Sequence, residues 1–237
     1  MRDLIVSFGG GNQAVITRVD RMPWQEFAAW LTGEPKELVD KAANGWYIPA
    51  EFNPVYRGSE NFIARHAITF DFDHVVIDTW GDVINAWSNT AFAIYTTYSH
   101  RPDGPRFRVV MPLSRPAAFD EFQALSRKVA GDVGIELVAR ESFVPSQMMY
   151  SPARPLGGCF ASYVNEGDWL DVDAVLAEYK DWTDVASWPT RRDGDAVHAG
   201  TESVDAREKP GIIGAFNRAF SISQAIEKFE LPYRRVA

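Results

Sequence analysis

Apolar and polar positions along this chain fall into short runs with two different periods. The runs LIVSFG (4–9) and AVITRV (14–19) are strand-like, and the glycine-rich turn between them predicts a hairpin. In PWQEFAAWL (23–31), Trp24, Phe27, Ala28 and Leu31 recur at helical spacing behind Pro23, which predicts a helix. Residues 44–60 mix Gly, Pro and Asn with aromatics and read as an ordered loop around GWYIPAEF. HAITFDFDHVVID (66–78) predicts a strand and WGDVINAW (80–87) a short helix. TAFAIYTTYSH (90–100) and RFRVVMPL (106–113) predict two strands joined by RPDGP, which has turn chemistry. AAFDEFQALSRKVAGDVG (117–134) predicts an amphipathic helix with Phe119, Phe122, Leu125, Ser126 and Val129 inward. IELVA and QMMYSPA are shorter strand candidates, and WLDVDAVLAEY (169–179) is another helix.

Beyond Trp182 the pattern fades. Residues 183–208 read as a linker after a main domain over 1–182. Two short helices follow within 209–237, the second with a capping box of Ser221 and Gln224. This last segment reads as the start of a helical domain of a longer protein. The pattern as a whole supports an α+β fold.

Composition narrows the setting more than the chemistry. The 237 residues carry a net charge of -8, which argues against a protein that coats nucleic acid. Residues 1–160 nevertheless favour arginine over lysine by twelve to three, and arginine suits bidentate phosphate contacts. No apolar run approaches the length of a membrane span, and the start is too short on apolar residues for a secretory signal. Cys159 is the single cysteine, so neither a disulfide framework nor a cysteine-rich zinc site is expected. A cytoplasmic location without membrane contact fits.

Two features carry candidate chemistry. In ITFDFD, alternation sends Ile68, Phe70 and Phe72 to one face and Thr69, Asp71 and Asp73 to the other. Oxygen donors of this kind suit Mg²⁺ or Mn²⁺, and a pair of such ions is a clamp for phosphoryl transfer. The alternative is a strand end with solvated acids. If RPDGP is a five-residue loop, His100 lies opposite Arg106 and Tyr98 opposite Arg108. Thr96, Tyr98, His100, Arg106 and Arg108 then share one face and suit a triphosphate. The alternative pairs both arginines with surface acids.

The stretches ITFDFD, YTTYSHRPDGPRFRVVMPLSRP and SFVPSQMMYSPARP resemble the archaeo-eukaryotic primase superfamily. The resemblance is to the primase-polymerase domain of phage and plasmid helicase-primase replication proteins. It covers roughly residues 57–155, and the tail KPGIIGAFNRAFSISQAIEKF is similar to a segment that follows that domain. It implies an α+β fold, with a mixed-sheet core related to the RNA-recognition motif and a small α/β N-terminal unit. It also implies template-dependent synthesis and extension of primers on single-stranded DNA from NTP or dNTP substrates. Two Mg²⁺ or Mn²⁺ ions would sit on Asp71 and Asp73, with nucleotide phosphates on Ser99, His100, Arg106 and Arg108. A helicase domain of the same full-length protein is an implied partner. Trp46 and Tyr47 are candidates for stacking on template bases, with core packing the alternative for each.

In one place the sequence departs from the resemblance. The third motif should supply an acid at the position of Ala139, where VDRESF is expected and VARESF stands. Three origins are open: an engineered Asp→Ala change, takeover by Glu141 or Glu136, or an inactive natural relative. Two rival functions also remain. One is a non-catalytic nucleic-acid or nucleotide-binding module of a replicative helicase. The other is a haloacid-dehalogenase-like phosphatase with Asp71 as nucleophile.

Overall fold

The computed structural model describes residues 3–53, 56–73 and 75–192, with positions 219, 224 and 228. Met1–Asp193 form one compact unit and Gly194–Ala237 another. In the second unit Ala219, Gln224 and Lys228 are helical and exposed; Ser221, most of the two expected helices and residues 193–208 of the expected linker lie outside the described residues.

The spine of the first unit is the strand that contains the apolar run, β6 (Phe62–Phe72). It pairs with β8 (Phe107–Ala117) on one side and β5 (Ala50–Phe52) on the other. β7 (Phe92–Thr96) and β11 (Ser162–Asn165) complete a five-stranded sheet in the order β11-β7-β8-β6-β5. All its named pairings are antiparallel. Parallel pairing joins β3 (Lys36–Leu38) to β10 (Ala153–Pro155), away from this sheet.

Both faces of the sheet are covered, which explains why β6 is nearly continuous in apolar residues rather than cleanly alternating. On one face Ile68, Phe70, Ile94, Phe107 and Val109 meet α3 (Phe119–Gly131), which buries Phe122, Leu125 and Val129. The Glu121 side chain accepts from the Ala118 N–H at 2.9 Å and so caps the first turn of α3. α2 (Thr79–Ala86) and α4 (Val172–Ala177) add Val83, Val172 and Leu176 to the same core. On the other face the small residues Ala67 and Ala93 let α1 (Trp24–Thr32) and β1 (Asp3–Gly10) approach closely. α1 buries Trp24, Phe27, Ala28 and Leu31, the stripe expected from its spacing.

A second, four-stranded sheet runs β2-β1-β4-β9, with β2 (Arg18–Pro23), β4 (Gly45–Ile48) and β9 (Met149–Tyr150). The expected loop at 44–60 is therefore partly strand. Pro49 separates β4 from β5, so one short run serves two sheets, and the Pro49 carbonyl accepts from His66 N–H at 2.8 Å. The expected strand at 14–19 lies further along as β2, because Ile16 is buried beside Trp46 rather than in the ladder. IELVA is not a strand either: Ile135–Leu137 form a 3-10 turn.

Residues 183–192, expected to belong to a linker, pack on this unit. Trp188 is buried in the main core, and its indole N–H donates to the Trp182 carbonyl at 2.7 Å. The Arg191 guanidinium donates to the carbonyls of Ile135, Glu136 and Val138. A polar sequence thus hides one aromatic anchor and one arginine that satisfies turn carbonyls.

Candidate active site

Asp71 is the second-last residue of β6, and Asp73 follows one residue past its end. Cross-strand pairing puts Asp71 beside Arg108 of β8, and Arg108 beside Tyr95 of β7. Three strands thereby deliver an acid, a base and a phenol in one row. The Arg108 Nε donates to Asp71 Oδ1 at 2.6 Å and its Nη2 to Oδ2 at 3.0 Å. Its Nη1 donates to the Tyr95 hydroxyl at 3.0 Å and to the Tyr150 carbonyl at 2.8 Å. The Tyr95 and Tyr47 hydroxyls share a hydrogen bond of 2.6 Å, which carries the network into β4. Burial opposes the Arg108 charge, but Asp71 and the two tyrosines hold its pKa well above the ordinary value. Burial pushes both tyrosine pKa values up.

This arrangement corrects the expected hairpin. β7 ends at Thr96, and the register pairs Tyr95, not Tyr98, with Arg108. The shift is an odd number of residues, so the faces exchange. Its cause is local: His100 N–H donates to the Thr97 carbonyl at 2.9 Å, and Arg101 and Gly104 pair with each other, so the loop closes on itself. Arg108, set beside Asp71 by the β6–β8 register, is a buried partner of that acid rather than an open phosphate ligand. His100 lines an adjoining cavity with Arg101, Asp103 and Arg106, not the pocket of the two acids. Its Nδ1 accepts from the Arg106 N–H at 3.2 Å, which leaves the ring proton on Nε2, and burial lowers its pKa.

The pocket beside the row is lined by Asp71, Asp73, Thr97, Ser99, Arg106 and Arg108, among others. Arg106 reaches Asp73 at 3.4 Å, so each acid faces an arginine. Two lining residues carry no sequence signal of their own: Lys41, whose ammonium lies 5.0 Å from the centre of the Tyr150 ring, and Tyr150 itself. Tyr98 also lines the pocket, and its hydroxyl donates to the Val39 carbonyl at 3.0 Å. Trp46 and Tyr47 are fully buried, so neither is available to stack on a base.

Ala139 lies beside Asp71. Its N–H donates to the Asp71 carbonyl at 2.8 Å, and Val138 bridges to Phe72. Neither glutamate takes its place. Glu136 accepts from the Arg192 N–H at 2.6 Å and pairs with Arg191 at 3.7 Å, while Glu141 is exposed. Among the described residues no group of three or more His, Cys, Asp or Glu could hold a metal ion. Two carboxylates, each on an arginine, fall short of the donor set for a pair of divalent ions.

The sequence model of the family described as "VapE N-terminal domain" matches residues 36–191. No curated protein matches the chain. Among solved structures, the chain is similar to "Cyanophage S-2L Primase-Polymerase (PrimPol), AEP domain (PP-N190)", at 12% identity and a TM-score of 0.46 over 73% of this chain and 88% of that one.

Proposed function

The chain belongs to the VapE N-terminal domain family, and on that premise we propose that it is a primase-polymerase domain of a phage- or plasmid-type replication protein. Its nucleotidyl-transfer centre is built on Asp71 and Asp73 and lacks its third acid. The observation that carries this reading is the backbone bond from Ala139 to Asp71. It seats position 139 on the strand edge beside the first carboxylate. An acid there would join the pair. Nucleotide enters the pocket of Lys41, Ser99 and Arg106, with His100 offering its Nε2 proton from the adjoining cavity. In this form the chain binds nucleotide and polymerises poorly or not at all.

The test compares the native chain with Ala139→Asp on a primed single-stranded template with Mg²⁺ or Mn²⁺. The expected outcome is template-dependent incorporation from the variant and little from the native chain. Robust synthesis by the native chain would overturn the role of position 139. No synthesis by a folded variant would overturn the polymerase reading.

That second outcome would leave a non-catalytic nucleotide or nucleic-acid module, which one observation favours: Arg108 already neutralises Asp71. A phosphatase gains no support, because both Asp71 oxygens accept from Arg108 and are poorly placed for nucleophilic attack.

A further inference from the structure

A second groove, of about 390 Å³, lies along the N-terminal sheet and has Ser151 in common with the carboxylate pocket. Its walls include Phe8, Arg18, Trp30, Glu34 and Lys36. Trp30 is off the buried stripe of α1, so core formation does not require it there. One face of its ring stacks on Phe27 at 5.8 Å and 10°. Phe8 and Tyr47 meet it nearly at right angles, at 5.5 and 5.3 Å. The indole is thus fixed by three aromatic neighbours and is still 39% exposed. A rigid, half-open indole in a polar groove is a stacking platform that loses little entropy on binding.

The polar groups around it suit a phosphate backbone. Arg18 lies over the Phe8 ring at 4.1 Å, pairs with Asp20 at 3.0 Å, and keeps its side chain 59% exposed. Lys36 is exposed on β3. The acid on the wall, Glu34, is engaged by Arg154 at 3.0 Å. Tyr150, which lines the carboxylate pocket, is followed directly by Ser151, which lines both, so the groove and the pocket adjoin.

We propose that this groove seats single-stranded nucleic acid, with one unpaired base stacked on Trp30 and neighbouring phosphates on Arg18 and Lys36, on its way to the carboxylate pocket. The inference rests on the nucleotidyl-transfer reading and adds the path of the template.

The test uses the full chain and a fluorescently labelled oligodeoxythymidylate, read by anisotropy. Trp30→Ala should weaken binding about tenfold or more, the range of one lost base stack. Trp30→Phe should keep most of the affinity. Lys36→Glu, at an exposed position outside the core, should weaken binding and flatten its salt dependence. Binding of a fluorescent nucleotide should be unchanged in all three. A 5-iodouracil oligonucleotide should crosslink at Trp30, mapped by mass spectrometry. Tight oligonucleotide binding indifferent to Trp30→Ala and Lys36→Glu, or a crosslink confined to other residues, would overturn the groove and leave the primase-polymerase reading standing. Failure of the native chain to bind either oligonucleotide or nucleotide would overturn both.

Discussion

Arg108 is nearly buried, and each of its three guanidinium nitrogens donates to Asp71, to Tyr95 or to the Tyr150 carbonyl. Its removal would leave Asp71 and the buried Tyr95 hydroxyl without their cationic partner. Arg108→Ala should therefore cost about 3 kcal/mol or more in urea denaturation. Arg108→Lys should recover only part, because an ammonium cannot fork onto both carboxylate oxygens. His66 provides a separate, pH-dependent effect. Burial, reinforced by Arg21, lowers its pKa from 6.5 to about 4, and its Nε2 has no hydrogen-bond partner. The unfolded chain takes up that proton between the two values and the folded one does not. Stability is complete above about 6.5 and falls as pH drops toward about 4, at up to about 1.4 kcal/mol per pH unit. His66→Gln should flatten this acid limb, measured as the urea midpoint at pH 7 and pH 5.

Individual elements differ in how far their sequences specify them. α1 and α3 are legible because Trp24–Leu31 and Phe122–Val129 repeat at helical spacing around a single buried face. α4 is legible for another reason: Asp171 accepts from the N–H groups of Asp173 and Ala174 at 3.0 and 3.1 Å, a local signal. Asp171→Ala should cost about 1 kcal/mol, seen as a lower melting temperature with unchanged circular dichroism in the cold. The β7–β8 register was not legible, because it depends on how the 97–106 loop bonds to itself. That one shift brings Tyr95, in place of Tyr98, beside Arg108 and carries His100 into the adjoining cavity, while the β6–β8 register pairs Arg108 with Asp71. The two acids themselves could be read directly, since carboxylates interrupting an apolar strand demand a partner. Lys41 and Tyr150 could not, since only tertiary contacts carry a 3-10 turn and a two-residue strand to the pocket.

At the scale of the whole molecule, the segment after Trp182 bears on the site despite its linker-like composition. Trp188 fills the core on the α3 face, and Arg191 gathers the carbonyls of residues 135, 136 and 138. Those carbonyls belong to the turn that leads into Ala139, whose own N–H holds the edge of β6 at Asp71. Position 139 is therefore braced from both sides, by β6 and by the segment at 183–192. Loss of Trp188 alone should cost about 3 kcal/mol or more, the usual range for a large aromatic removed from a core. A chain ending after Asp193 should melt like the whole first unit, and one ending after Trp182 should melt well below it. The functional consequence is sharper in the Ala139→Asp background. There the chain ending after Asp193 should keep the gained template-dependent incorporation. The chain ending after Trp182, assayed below its melting temperature, should lose most of that gain while still binding nucleotide through Lys41 and Arg106. Equal incorporation by the two would mean that β6 alone positions residue 139 and that the 183–192 segment only adds stability.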